Sequence, residues 1–336
     1  MLDQERIFSV LELLNLLNQS NKIASKLLQS YYRSKKLIGS KDRRFISKSF
    51  WNIIRHRYKI NWHLNYLDIE VTLEKEIMLE LFFLNKDYCN NISKIKKLFI
   101  TKYKEIKIFN EVDFKFLNDL NFYEFYNKEM PEHIFYELPK YLVESLKNGF
   151  KNEWRDIALS LNEEAFFDIR VNTIKGKSRD EIYHLLKDIK VPFKPTKYSP
   201  LGIRFLNRFP IEGHKLFKKG CIEIQGEASQ LVALLLDAKP GMQVADVCSG
   251  AGGKSLILAD IMKNKGRILS LDTNKKRLLN AGLRLKRAGV HNVERRLVEP
   301  NWNVRGLEKK FDLVLIDAPC SGIGTWSRSP DSKFKF

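Results

Sequence analysis

The sequence predicts a multidomain chain: an all-α N-terminal domain, a small α+β middle domain, and an α/β domain built on a parallel sheet. Three observations carry this. Apolar residues recur at three- and four-residue spacing through a first stretch that holds no glycine between Gly39 and Gly149. A mixed stretch follows, punctuated at its end by Pro192, Pro195, Pro200 and Pro210. From about residue 221 short apolar strands alternate with amphipathic helices, the pattern of a parallel sheet with helices on both faces.

Residues 1–135 carry the helical pattern in "ERIFSVLELLNLL" and in "DRRFISKSFWNIIRHRYKINWHLNYL". The second stretch is expected to form one long amphipathic helix with Ser40 as its N-cap. Arg43, Arg44, Lys48, Arg55, His56, Arg57 and Lys59 crowd it, so more than one helix face is basic. A phosphate backbone and a merely solvated surface account for such a cluster equally well.

The whole chain, 336 residues with a formal net charge of +19, favours a polyanionic partner, although a lysine-rich proteome would raise the charge too. Hydrophobic residues make up 44% and charged ones 29%, ordinary for a soluble protein. No apolar run approaches the ~18 residues that span a bilayer, and the opening "MLDQERIF" has no signal-peptide order. Cys89, Cys221, Cys248 and Cys320 lie far apart with no C-x-x-C pair. That spacing argues against a disulfide framework and against a zinc site, so no metal is expected, and it fits a reducing cytoplasm.

In residues 136–220, "LPKYLVESLKNGF" reads as a helix opened by Pro139, "FFDIRVNTI" as a strand, "SRDEIYHLLKDI" as a helix capped by Ser178, and "GIRFLN" as a short strand. In residues 221–336, the helix "EASQLVALLLDA" leads through the turn "KPGM" into strand "QVADVC". Helix "GKSLILADIM", strand "RILSLD", helix "NKKRLLNAGLRLKRAG" and strand "NVERRLVE" follow. "FDLVLID", apolar from Leu313 to Ile316, is expected to be a fourth strand buried on both faces.

The sharpest motif is "VADVCSGAGGKS", Val244 to Ser255: a strand end, glycines at 250, 252 and 253, then a helix N-terminus. A P-loop would need a glycine where Cys248 stands, so "CSGAGGKS" is a near miss for G-x-x-x-x-G-K-S. A nucleoside cofactor needs an acid at the end of the next strand to hold ribose hydroxyls, and Asp272 lies twenty residues beyond Gly252.

"DVCSGAGGKS", "LDTNKKRL" and "DAPCSGIGTWSRSPD" together resemble the RsmB/Sun family of S-adenosylmethionine-dependent ribosomal RNA cytosine-5 methyltransferases. "DRRFISKSFWNIIRH" resembles that family's NusB-like helical domain, and "FFDIRVNTIK" its middle domain. The resemblance implies a Rossmann-like methyltransferase domain, an RNA substrate, and S-adenosylmethionine as cofactor. It implies that Cys248, Ser249, Gly250, Ala251, Gly252, Gly253 and Lys254 wrap the methionine end and that Asp272 binds the ribose. Glu299 stands where the family has an aspartate near the adenine, and Asp317 would line the site beside the transferred methyl. The family's D-x-C-A-A-P-G-G-K-T signature is altered here, with Ser249-Gly250-Ala251-Gly252 in place of Ala-Ala-Pro-Gly.

Carbon 5 of cytosine is a poor nucleophile until a thiolate adds at carbon 6, which makes the ring an enamine. Cys320 follows Asp317 at the carboxyl end of a parallel strand, where such folds place their sites, and is the candidate catalytic residue. In the resembled family two cysteines share the work: a nucleophile in a Thr-Cys-Ser motif on the next strand, and the Pro-Cys cysteine, which assists product release. No Thr-Cys pair occurs in this sequence. The expectation is therefore a domain incomplete after its fourth strand, inactive alone and poorly soluble at an unpaired apolar edge. A non-catalytic RNA-binding remnant and a P-loop ATPase are the alternatives.

Overall fold

The structure, a computed structural model, describes residues 1–100, 114–120, 123–299 and 306–334. By internal packing the chain divides into two units, Met1–Glu164 with Gly322–Phe336, and Ala165–Ser321.

The first unit is helical: α1 (Asp3–Gln19), α2 (Ala24–Ser34), α3 (Ser40–Arg55), α4 (Arg57–Tyr66), α5 (Leu73–Phe83), α6 (Ile92–Ile100), α7 (Phe116–Asp119), α8 (Glu132–Phe135), α9 (Lys140–Phe150) and α10 (Trp154–Asn162). Ile7, Val10, Leu11 and Leu14 of α1 fall at three- and four-residue spacing and are buried in one core with Ile46, Phe50 and Ile53 of α3 and Ile77 and Leu81 of α5.

The single long helix expected over "DRRFISKSFWNIIRHRYKINWHLNYL" is two, broken at His56 (φ −111°, ψ 22°). The cause lies far away in sequence. The buried Glu137 carboxylate accepts the backbone N–H groups of Tyr58 and Lys59, each at 3.2 Å, and so caps the first turn of α4. Ser40 is not the N-cap of α3: Gly39 holds that position and no side chain caps the helix.

The basic cluster is also largely turned inward. Arg57 forks onto Glu76 at 2.7 and 3.0 Å. Arg55 donates to the carbonyls of Asn162 and Glu163, each at 3.0 Å, and of Ser327 at 3.1 Å. Lys59 is buried 3.6 Å from Glu137. Of the group, Arg44 and Lys48 are exposed.

The stretch after residue 321 packs in this helical unit. Trp326 is fully buried among Leu138, Leu142, Val143, Leu146 and Trp154. Asp331 accepts the Ala24 N–H at 3.1 Å. Lys333 is buried, donates to the Arg55 carbonyl at 3.3 Å and to Asn162, and desolvation pulls its pKa down to about 8.

The second unit holds two sheets. The first takes β1 (Phe167–Val171), β2 (Phe193–Pro195), β3 (Gly202–Phe205) and β4 (Ile222–Ile224) in the order β2-β3-β1-β4, antiparallel throughout, with α11 (Arg179–Leu185) and α12 (Lys215–Lys218) between its strands in sequence. Ser178 caps α11 as expected, in a capping box with Glu181. The strands β2 and β4 are too short to announce themselves by alternation.

After α13 (Glu227–Leu235), the second sheet is built from β5 (Gln243–Asp246), α14 (Gly253–Ile261), β6 (Arg267–Asp272), α15 (Lys275–Ala288), β7 (Val293–Leu297) and β8 (Leu313–Leu315). Its strands are parallel in the order β7-β6-β5-β8. Unlike the expectation of burial on both faces, β8 lies at an edge, paired with β5, and leaves Val314 48% and Ile316 67% exposed. Among the described residues no helix is long and apolar enough to cross a membrane.

Candidate functional site

The site lies at the carboxyl ends of β5 and β6, where an open parallel sheet leaves a crevice. After Asp246 the chain makes one more sheet bond, from Val247 N–H to the Leu315 carbonyl at 2.9 Å, and then turns. Ser249 N–H donates to the Leu271 carbonyl and Gly252 N–H to the Ser249 carbonyl, both at 2.9 Å. Gly250 (φ +57°) and Gly252 (φ +75°) take the left-handed conformation that a side chain resists. At Gly252 a Cβ would also stand 3.1 Å from the Cβ of Ala281 in α15, whereas at Gly250 the same position opens onto empty space.

Asp272 closes the crevice from β6. Its Oδ2 accepts the Gly250 N–H at 2.8 Å and its Oδ1 the Asn274 N–H at 2.7 Å. Asn274 in turn caps α15 by accepting the Arg277 N–H at 3.1 Å. Each Asp272 oxygen thus keeps a lone pair for a ligand hydroxyl.

Beneath the turn, Asp246 is fully buried and accepts the Ser255 hydroxyl at 2.6 Å. Ser255 lies 2.7 Å from the Ser270 hydroxyl. Desolvation raises the Asp246 pKa to about 6, against the opposing pull of that hydrogen bond and of Lys254. Lys254 forms an ion pair with Asp317, which stands just past β8. The Cys248 thiol is pushed above its ordinary pKa, first by burial and then by the charges of Asp272, Asp246 and Asp317, which disfavours its thiolate. Cys320 is exposed in the irregular segment after β8. Glu299 is exposed two residues beyond β7, at the end of the described stretch.

The turn therefore brings together Cys248 to Lys254 with Asp272 and Asp317. These residues fit a hydroxylated, cationic ligand better than a triphosphate. Three carboxylates ring the turn, and its one lysine is already paired with one of them. Ser249 Oγ is buried without a partner among the described residues, a polar atom that a ligand at the turn can satisfy. Asp246, Ser255 and Ser270 escape sequence reasoning because their pairing depends on β5 and β6 lying side by side. The alternation of "VADVC" could have flagged Asp246 as an inward acid.

The sheet order and this crevice define a parallel-sheet cofactor-binding domain carried beside an antiparallel module. Residues 233–335 match the family described as 16S rRNA methyltransferase RsmB/F. Residues 138–212 match the ferredoxin-like domain of the RsmF/B-like methyltransferases. The chain is 30% identical over 199 residues to the ribosomal RNA small subunit methyltransferase B of Pseudomonas syringae pv. tomato, covering 58% of this chain and 43% of that protein. It is 38% identical over 167 residues to the "Probable ribosomal RNA small subunit methyltransferase B" of Bacillus subtilis, covering 49% of this chain and 37% of that protein. The chain thus spans about two fifths of the length of these curated relatives. A solved methyltransferase homolog from Pyrococcus horikoshii is 30% identical with a TM-score of 0.52, over 58% of this chain and 64% of that one. The solved PH0851 shares the fold across 100% of this chain and 79% of its own, with a TM-score of 0.74 at 22% identity. Over residues 138–212 and 233–335 the chain thus carries the two domains that mark the RsmB/F methyltransferases.

Proposed function

We propose that this chain binds S-adenosylmethionine at the glycine turn and serves methylation of carbon 5 of a cytosine in ribosomal RNA, in the cytoplasm. The observation that carries the reading is Asp272 held against Gly250, a strand-end carboxylate with lone pairs facing an open glycine turn. S-adenosylmethionine supplies, when bound, an electrophilic methyl group on a sulfonium. Cys248 to Lys254 would hold its amino-acid end, Asp272 its ribose hydroxyls and Glu299 its adenine. Asp317 would stand beside the methyl and keep Lys254 turned aside. Residues 1–135, the NusB-like domain by resemblance, would hold the RNA, residues 136–220 the middle module, and residues 221–336 the cofactor.

The target base must leave its stack to be reached, which favours single-stranded or looped RNA. Cys320, in the Pro-Cys position, would assist release of the product. The 336 residues contain no Thr-Cys pair, so we propose that this chain alone does not turn over. Calorimetry of the purified chain is the test. Binding of S-adenosylmethionine without binding of Mg-ATP is expected, and the reverse would sink the reading in favour of a nucleotide triphosphatase.

A further inference from the structure

The glycine turn is held from behind by the antiparallel module, through two carbonyl groups. Arg284 of α15 donates from Nη1 to the Ala251 carbonyl at 2.8 Å. The same guanidinium rests on Glu223 of β4, with Nη2 at 3.2 Å and Nε at 3.4 Å from Oε2. Glu223 is 1% exposed, and its other oxygen takes Arg287, whose guanidinium lies 3.9 Å over the Phe217 ring. Two residues on, Gln225 donates from Nε2 to the Gly253 carbonyl at 3.1 Å. Gln225 is itself fixed, because Oε1 accepts Arg170 Nε at 2.9 Å while Arg170 Nη1 reaches Asp260 of α14 at 2.8 Å.

A peptide group is planar, so fixing a carbonyl fixes the N–H across the same bond. Pinning Ala251 sets the Gly252 N–H, which closes the turn onto the Ser249 carbonyl, and pinning Gly253 sets the Lys254 N–H in the first turn of α14. First-turn amides have no intrahelical acceptor and are the ones a helix terminus offers to a ligand. Left-handed glycines on their own leave such a turn conformationally loose. The clamp residues Glu223 and Gln225 fall between the two stretches that match the family, 138–212 and 233–335.

We infer that Glu223 and Gln225 are positioning residues that hold the glycine turn in its ligand-binding shape, making the antiparallel module part of the cofactor site. This rests on the reading that the turn binds S-adenosylmethionine. Each clamp removes freedom from the turn before the ligand arrives, so breaking one lowers affinity without touching the ligand.

The test compares the full chain with its Gln225→Ala, Glu223→Gln and Arg284→Lys variants by amide hydrogen exchange and by calorimetry with S-adenosylmethionine. In the ligand-free chain, exchange over residues 249–255 should quicken about tenfold in each variant while the rest of the 165–321 unit keeps its protection. The dissociation constant should rise about tenfold, the loss of one hydrogen bond to a constrained backbone. Arg284→Lys keeps the charge beside Glu223 but cannot reach Glu223 and Ala251 with one fork, so it reports on the clamp even if Glu223→Gln misfolds. Unchanged exchange at 249–255, or exchange raised uniformly across the unit, would overturn the inference. Wild-type chain that shows the local exchange effect in its variants but binds no S-adenosylmethionine would keep the clamp and refute the cofactor reading.

Discussion

Gly250 and Asp272, twenty-two residues apart in sequence, meet through one 2.8 Å hydrogen bond from the glycine amide to the carboxylate. The bond ties the loop after one strand to the end of its neighbour, so the acid is both a brace for the turn and a candidate ligand contact. A charged acceptor makes it one of the stronger bonds in the unit. Asp272→Ala should therefore weaken S-adenosylmethionine binding by about 1–2 kcal/mol, roughly 5- to 30-fold. Calorimetry on both proteins reads this directly, and equal affinities would remove Asp272 from the site.

The second prediction concerns Asp246, whose pKa is raised to about 6 by burial. A carboxyl that holds its proton more tightly when folded stabilises the fold at low pH. That contribution is lost as pH rises from the ordinary carboxylate range through about 6, and the curve is flat above it. Asp246→Asn retains an acceptor for Ser255 but cannot ionise. The difference between variant and wild-type stability should grow in the variant's favour between pH 4 and pH 7, by about 1–3 kcal/mol. Denaturant melts at several pH values check it. Parallel curves would mean that Asp246 is not desolvated.

Of these two acids the sequence made only Asp272 legible. Asp272 could be found because a strand-end acid at a set distance from a glycine turn is a local pattern with a chemical reason. The alternation of strands and helices from residue 221 onward, and the capping box at Ser178, were legible for the same kind of reason. The break at His56 was not, because its cause is the carboxylate of Glu137, some eighty residues away. The Arg284–Glu223 pair and the burial of Trp326 were equally hidden, since contacts of high sequence separation leave no periodic trace.

The third prediction separates cations that face solvent from those that serve the fold. Arg44 and Lys48 are exposed on α3, so reversing both to glutamate should leave the helical unit folded and weaken binding of ribosomal RNA fragments. Binding by the wild-type chain should fall steeply as salt rises, with a shallower slope in the double variant. Lys59→Glu instead buries a second carboxylate beside Glu137 and should cost about 3–5 kcal/mol of stability. Filter binding across a salt series, with thermal melts beside it, distinguishes the two outcomes. RNA affinity indifferent to both salt and the Arg44 and Lys48 reversals would make this face plain solvated surface.

The fourth prediction concerns the edge of the parallel sheet. Among the described residues β8 has no strand on its outer side, where the side chains of Val314 and Ile316 are exposed, a template for pairing with another chain. Ile316→Lys places a charge there that pairing would have to bury. Light scattering of the purified chain should show less self-association in the variant at equal concentration. Identical scattering would locate any association elsewhere.

The last prediction joins the exposed thiol to the chemistry. Cytosine is activated for methylation only while a thiolate is bonded to its carbon 6, and the adduct must then be resolved by losing the carbon 5 proton and the thiolate. Where two cysteines divide those steps, the Pro-Cys one acts late, and here that position is Cys320, with no Thr-Cys pair anywhere in the 336 residues. Cys248 is a poor stand-in, since burial and three neighbouring carboxylates disfavour its thiolate. The purified chain, incubated with radiolabelled S-adenosylmethionine and unmodified ribosomal RNA, should therefore bind both and transfer no methyl group above background. Transfer that disappears in Cys320→Ala would make Cys320 the attacking nucleophile and overturn the division of labour argued here.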